Sequence, residues 1–514
     1  MNRNALLALL FVLPFACSLS ACGGNHRDQD DNATQTDDDP MGADTGSDPT
    51  DTGADPSDPI ASDGDSTGSD PGGDGDSGPV TDTDPTPLPR GLAWVRSNPM
   101  FISGLTVGMG APPKAFVDQY YDAFHANATH LWANGLPNEI QGWHDASRTD
   151  HRYVAWVQND GTSVDGGQLM GGMSAALAGR IGYQVGDEPG ISCPNDDYDC
   201  ALASLDAMGA GIAALRAKDP NALLYCNFAA TQYADNLLAH YNANIDGDVV
   251  SYDSYGPGRD SYASLERFRR AGLDGHKPYW RYMRAYTPDN PADAPTPADL
   301  RWDAFAGALY GYTGHTWFLY QVSPSHDLDP VFFANDGDVA AATTALFGTA
   351  AQLNLELANL GRALTRLTST DVRYVPASSY SKPAGTRLWS SGAGANPYLS
   401  NVAVKSPMLA EASVGFFDDD FGEKYVMLQN VAHDSGDHPN DWVTSATFRL
   451  SFDFNGAPVT VNRTRLLTLD KATGQVKQLP LTTHTDPNGT LDVTLGAGDV
   501  LFFKYETGRS FVGY

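Results

Sequence analysis

Basic residues are scarce in this chain. Lysine and arginine number 32 against 63 aspartates and glutamates, for a net charge of −31. With no basic stripe, the chain lacks the electrostatic footprint of a nucleic-acid binder. Cysteine is sparse too, at five residues, and no His/Cys grouping has zinc spacing, so no metal or cofactor is expected. The longest early apolar run, residues 5–16, is too short to span a bilayer as a stable helix. Residues 22–90 lack almost all large apolar side chains and consist mainly of Asp, Gly, Ser, Thr and Pro. Nothing in that tract repays the entropy of ordering, so it reads as a disordered tether. It holds 18 Asp against Arg27 and Arg90, a net of −16 and about half the charge of the whole chain. Its DxDxD-like runs have no glutamate-terminated loop, which favours a solvated spacer over a calcium site.

What is present begins at the N-terminus, MNRNALLALLFVLPFACSLSAC. Arg3 and the apolar run after it make a short export segment. Leu19-Ser20-Ala21-Cys22 resembles the lipobox of bacterial lipoprotein signal peptides. The resemblance implies a signal peptide over residues 1–21, cleavage before Cys22 and lipidation of its thiol. Several acyl chains on one residue hold a protein to a membrane surface without a spanning helix. The expected location is the bacterial cell envelope, at the outer membrane or cell surface. Cys193 and Cys200 flank the hydrophilic PNDDYD segment, and a disulfide closing that loop fits an exported protein. Cys226, in the apolar ALLYCNF, reads as a buried thiol.

From about residue 99, short apolar runs alternate with amphipathic stretches. Strands are expected at 101–109, 129–134, 153–160, 181–188, 222–228, 248–256, 277–286 and 315–322. Helices are expected between them at 112–127, 197–218, 261–272, 297–314 and 340–367, with two less distinct ones near 138–147 and 167–179. This rhythm predicts an α/β fold, a (β/α)8 barrel over residues 91–371. After residue 372, segments such as TSATFRLSFD and DVLFFKYE alternate apolar and polar residues between turns. They predict an antiparallel β-sandwich over 372–514. A monomer is expected.

The segment IGYQVGDEPG ends an apolar strand on Asp187-Glu188 and breaks at once with Pro189-Gly190. A barrel presents catalytic acids in this way, at the C-terminal ends of its strands. Reading the other strand ends gives Trp132, Asn134, Gln158, Asn159, Asn227, Tyr252, Asp253, Tyr255, Arg284, Tyr286, Trp317, Tyr320 and Gln321. Aromatic faces stack on sugars, amides bracket hydroxyls, and carboxylates handle protons and oxocarbenium charge. Glu188 is the expected general acid, with Asp253 or Asp187 assisting. Trp132, Trp317, Tyr255 and Tyr320 are the candidate sugar platforms. Each has a plainer alternative, since Glu188 can cap the following helix and the Trp and Tyr residues can be core.

The order of features over about residues 95–514 resembles secreted glycoside hydrolases with a (β/α)8 domain and a C-terminal β-sandwich. The likeness rests on GYQVGDEP, VVSYDSYG, KPYWRYMRAY and HTWFLYQV. In the large retaining clan of these enzymes the acid/base glutamate follows Asn at the end of strand four. Glu188 takes that place, with Asp187 instead of Asn. The clan's nucleophile ends strand seven, where this chain has no carboxylate and the nearest acid is Asp289. Asp253 on strand six is one substitute. Two strand spacings imply a separation of roughly 9–10 Å, which suits an inverting pair. The adjacent Asp187-Glu188 is also similar to the dyad of glycoside hydrolase families 20 and 123, in which the substrate's acetamide is the nucleophile. The sequence therefore predicts a hydrolase of an extracellular polysaccharide or glycan. The alternatives are an acetamide-assisted β-N-acetylhexosaminidase and a non-catalytic carbohydrate-binding lipoprotein.

Overall fold

A computed structural model of the chain describes residues 87–107, 111–132, 142–146, 151–157, 179–194, 197–255, 261–287, 294–322, 329–335, 340–377, 382–431 and 445–514. The expected leader, Cys22 and most of the tether lie outside the described residues, as do Asn134, Gln158, Asn159 and Asp289.

Eight parallel strands close into a barrel in sequence order. They are β1 (Phe101–Val107), β2 (Thr129–Trp132), β3 (Tyr153–Val157), β4 (Arg180–Asp187), β5 (Leu223–Ala229), β6 (Val250–Asp253), β7 (Tyr279–Arg284) and β8 (Gly314–Val322). Around them run α1 (Arg90–Ser97), α2 (Lys114–Asp118, continuing as a π-helical turn to Ala123), α3 (Tyr198–Lys218), α4 (Ala234–Asn244), α5 (Ser261–Asp274), α6 (Pro297–Tyr310) and α7 (Ala345–Leu364). Each of the eight strands falls within or beside an expected segment. Of the helices, α1 and α4 were not expected. α4 buries only Ala234, Leu237, Leu238 and Tyr241, too short a stripe to stand out from its polar residues. α1 starts at Arg90, the last residue assigned to the tether, and Arg90 pairs with Asp248 at 2.8 Å.

Local chemistry sets the helix ends. Thr296 and Asp299 make a reciprocal capping box at the start of α6, and Gly311 ends it at φ 91°. Asp197 caps α3 by accepting the Cys200 N–H. The expected Cys193–Cys200 disulfide ties this first turn to the loop leaving β4.

The barrel interior is layered. Its floor is apolar and closed by Phe101, Val154, Ile181, Leu223, Tyr225, Val249 and Trp280, with Trp94 of α1 packed beneath. Phe101 stacks on Trp280 with ring centres 4.5 Å apart, and Trp94 meets the same indole edge-on at 5.8 Å. A polar layer lies above, where Ser103 bonds Thr316 and Tyr282 meets His130. At the C-terminal end Leu105, Tyr282, Tyr286, Phe318, Leu319 and Val322 cluster, with Tyr255 against them.

Outside the barrel, among the described residues, Tyr286–Thr287 pairs with Asp329–Pro330 in a two-stranded sheet, and ten further strands form two larger antiparallel sheets. They are β9 (Thr368–Val375), β10 (Leu399–Ser406), β11 (Ala412–Asp418), β12 (Lys424–Asn430), β13 (Ser445–Asp453), β14 (Arg465–Asp470), β15 (Gln475–Pro480), β16 (Thr483–Thr485), β17 (Asn488–Gly496) and β18 (Val500–Tyr505). The larger sheet runs β9-β11-β12-β18-β14-β15 and the smaller β10-β13-β17-β16. Phe416, Val426, Phe448, Leu450, Leu491 and Phe503 fill the space between them. The other face of the larger sheet packs on the barrel's helices. Phe417, Met427 and Phe502 share one core with Trp302, Phe305 and Leu309 of α6. Gly415 lies so close to α6 that a Cβ there would sit 2.3 Å from the Leu309 carbonyl oxygen.

Candidate active site

The end of β4 is bent by its glycines. Gly186 has φ 76°, the pairing to β5 shifts register between Gln184 and Asp187, and Gly190 has φ 87°. Glu188, between them, is itself left-handed at φ 43°, and its N–H bonds the Asn227 carbonyl at 2.9 Å. A non-glycine residue there costs about 1 kcal/mol or more, and such strain concentrates at functional sites. The bend carries the Glu188 side chain across β5 to Asp253 at the end of β6, and the two carboxyls are hydrogen-bonded. This corrects the spacing expected from flat strands: the two groups are in direct contact, not two strand widths apart.

Asn227 sits under the pair. Its Nδ2 donates to Asp187 Oδ1 and to Asp253 Oδ1, both at 3.0 Å, and Ser251 Oγ fixes the amide by donating to its Oδ1 at 2.8 Å. A second chain reaches Asp187 from the barrel's polar layer. Tyr282 Oη donates to Gln184 Oε1 at 2.6 Å, which turns Gln184 Nε2 toward Asp187 Oδ1 at 3.2 Å. His130 lies 3.1 Å from the Tyr282 hydroxyl, and burial lowers its pKa to about 3, so the ring is neutral. With Tyr282 donating to Gln184, His130 is the donor to Tyr282. His130, Gln184, Ser251 and Asn227 are all buried. Only Asn227 was expected here. The signal for the others was their parity, since Gln184, Ser251 and Tyr282 each sit at an inward-facing position of their strand.

The three acids hold their protons unusually well. Burial, then the Asp253 charge and its hydrogen bond, raise Glu188 to about 9. Burial, then the Glu188 charge, raise Asp187 to about 8 against the bond from Asn227. Burial, then the Asp187 charge, raise Asp253 to about 7, while bonds from Glu188 and Asn227 pull it down. Glu188 is thus the proton donor of the pair and Asp253 the acceptor. Among the described residues no His/Cys/Asp/Glu group has the geometry of a metal site.

Tyr255, Tyr286 and Phe318 make an aromatic wall at the same end, with ring centres 5.2 to 5.8 Å apart. Other expected platforms face away from it. Trp317 is fully buried on the outside of β8, where Nε1 donates to Asn354 of α7 at 2.8 Å. Tyr320 is fully buried among Phe116, Tyr120, Phe124 and Phe333. Tyr252 stacks on Phe268 of α5 at 4.1 Å. All three are core residues: Tyr252 and Trp317 occupy the outward parity of their strands, and the register irregularity of β8 between its Trp317 and Gln321 pairings brings Tyr320 to the same side. Gln321 is buried too, accepting the Val322 N–H and donating to the Asn335 carbonyl. Trp132 closes β2, with its side chain outside the described set. Strand β7 carries no carboxylate and ends on Arg284.

No protein-family model and no curated protein matches the chain. Solved structures similar to it are glycoside hydrolases. An α-galactosidase from Saccharomyces cerevisiae with raffinose is 9% identical, with a TM-score of 0.44, over 82% of this chain and 99% of that one. An endo-β-1,4-mannanase from Thermotoga petrophila is 11% identical, with a TM-score of 0.34, over 66% and 97%. A GH30 endoxylanase from Clostridium papyrosolvens is 8% identical, with a TM-score of 0.32, over 80% and 97%. So distant a likeness carries nothing about chemistry, which rests on the residues themselves.

Proposed function

We propose that the chain is a glycoside hydrolase acting on an extracellular polysaccharide or glycan, with Glu188 as general acid. One arrangement carries this reading: Glu188, buried and hydrogen-bonded to the ionisable Asp253 at the aromatic-walled end of the barrel, has its carboxyl raised to about 9, as a general acid needs. A glycosidic oxygen entering between the two carboxyls replaces Asp253 as the acceptor of that proton. The C–O bond breaks with its electron pair leaving on the protonated oxygen. Water then attacks the anomeric carbon and gives its proton to Asp253. The direct contact lets that proton return to Glu188, which restores the starting state. Substrate must first part the carboxyls, because an inverting pair needs about 6.5–9.5 Å to hold a water. Asp187, pinned by two amide donors, orients the substrate.

That pinning also favours a second reading, the acetamide-assisted β-N-acetylhexosaminidase, in which Asp187 holds the substrate's acetamide. The tether and a lipidated Cys22 would hold the enzyme at the envelope surface within reach of polymer.

The test is a panel of polysaccharides and chromogenic glycosides, run on wild type and Glu188→Gln. Loss of a general acid lowers kcat by about 10²–10⁴-fold while ligand still binds. A variant that keeps turnover removes Glu188 as the general acid, whereas a wild type that binds glycan and turns over none of the panel ends the hydrolase reading and identifies a lectin-like protein. Replacing the 2-acetamido group by 2-hydroxyl abolishes turnover only if the acetamide is the nucleophile.

A further inference from the structure

Arg284 ends β7 half-buried, and its register fixes the side it faces. It is paired with Phe318, just as Tyr282 is paired with Thr316. Residues paired across parallel strands share a face of the sheet. Tyr282 and Thr316 bond inward, to Gln184 and Ser103, and Phe318 belongs to the aromatic wall. Arg284 therefore lies on the mouth side of β7, one strand beyond Asp253.

Two donors of this guanidinium, Nε and Nη2, are enclosed and have no hydrogen-bond partner among the described residues. Asp303, which senses its charge, is already engaged by the Arg281 guanidinium and by the backbone N–H of Arg284 at 3.3 Å. An enclosed donor without an acceptor destabilises the fold, so a site that keeps two of them is one that a ligand completes. The planar fork of arginine matches a carboxylate or sulfate, which can take both bonds at once, better than a hydroxyl.

We propose that Arg284 is the subsite for a single anionic group on the substrate, a uronic-acid carboxylate or a sulfate ester, so that the site is built for acidic glycans. Anion binding stands on the geometry of Arg284 alone, and only the word substrate rests on the hydrolase reading. The neighbouring acids do not oppose it. They hold protons near neutral pH, so the mouth carries far less charge than three carboxylates would. About half of the chain's −31 belongs to the tether.

The test compares matched pairs on the full-length protein: glucuronides against glucosides, and sulfated against desulfated glycans. Wild type favours the charged member of one pair in kcat/KM, and that pair identifies the anion. Arg284→Gln lowers the preference about 10- to 100-fold, the range of hydrogen bonds to charged groups. Arg284→Lys, which keeps the charge but not the fork, falls between. Calorimetry of free glucuronate and of a sulfated monosaccharide on the Glu188→Gln protein separates this inference from the hydrolase reading. Anion binding that Arg284→Gln removes supports it even without turnover of any glycoside. Turnover with no preference for charge, a preference that Arg284→Gln leaves intact, or no binding of either anion overturns it.

Discussion

At the scale of residues, three carboxyls share one small volume, and the fold is less stable for it. In the unfolded chain they ionise near ordinary carboxyl values, about 4. In the folded protein they do so near 7, 8 and 9. As pH rises the unfolded state loses these protons first, so the stability they contribute is complete below about pH 4 and gone by about pH 9. Wild-type Tm is therefore expected to fall between pH 5 and pH 9, and Glu188→Gln, which has nothing to ionise, to melt a few degrees higher than wild type at pH 8. A variant that melts lower there shows that the acids are not held protonated. Active sites commonly give up stability in this way.

At the scale of elements, strand parity decides which residues meet. Strand position was legible in the sequence because apolar runs between polar stretches mark it. Which side a strand end presents was not, since β4 carries a register shift and the short β6 offers only four residues to count from. Collecting every polar or aromatic residue near a strand end therefore gathered both faces. Asn227, Asp253 and Tyr286 proved inward, whereas Tyr252, Trp317 and Tyr320 proved outward. The Glu188–Asp253 contact was hidden for a related reason, because it depends on the left-handed turn at Glu188. Trp317→Phe tests the parity argument. It removes the bond to Asn354 and part of the packing on Phe332, and should lower stability by about 1–3 kcal/mol without moving KM. A changed KM with an unchanged melt would return Trp317 to the mouth.

At the scale of the whole molecule, the barrel and the larger sheet share one core. Gln429 of β12 donates to the Trp302 and Gly498 carbonyls at 3.1 Å, and Arg301 donates to the Ala497 carbonyl at 3.0 Å. On the barrel side, Arg269 of α5 bonds the Ser369 side chain at 2.9 Å. Cutting the chain after residue 371 would expose Phe305, Leu309 and the rest of that α6 face to water. The shortened protein is expected to aggregate or to lack the near-ultraviolet circular dichroism of packed aromatics. A soluble, cooperatively melting fragment would show that the barrel needs no such support.

The aromatic floor of the barrel has a kinetic corollary. Trp280, Phe101 and Trp94 fill the far end of the barrel, so a molecule that reaches the carboxyls has to come and go at the C-terminal ends of the strands. Whatever enters must back out by the same doorway, and a fragment slow to depart blocks the next arrival.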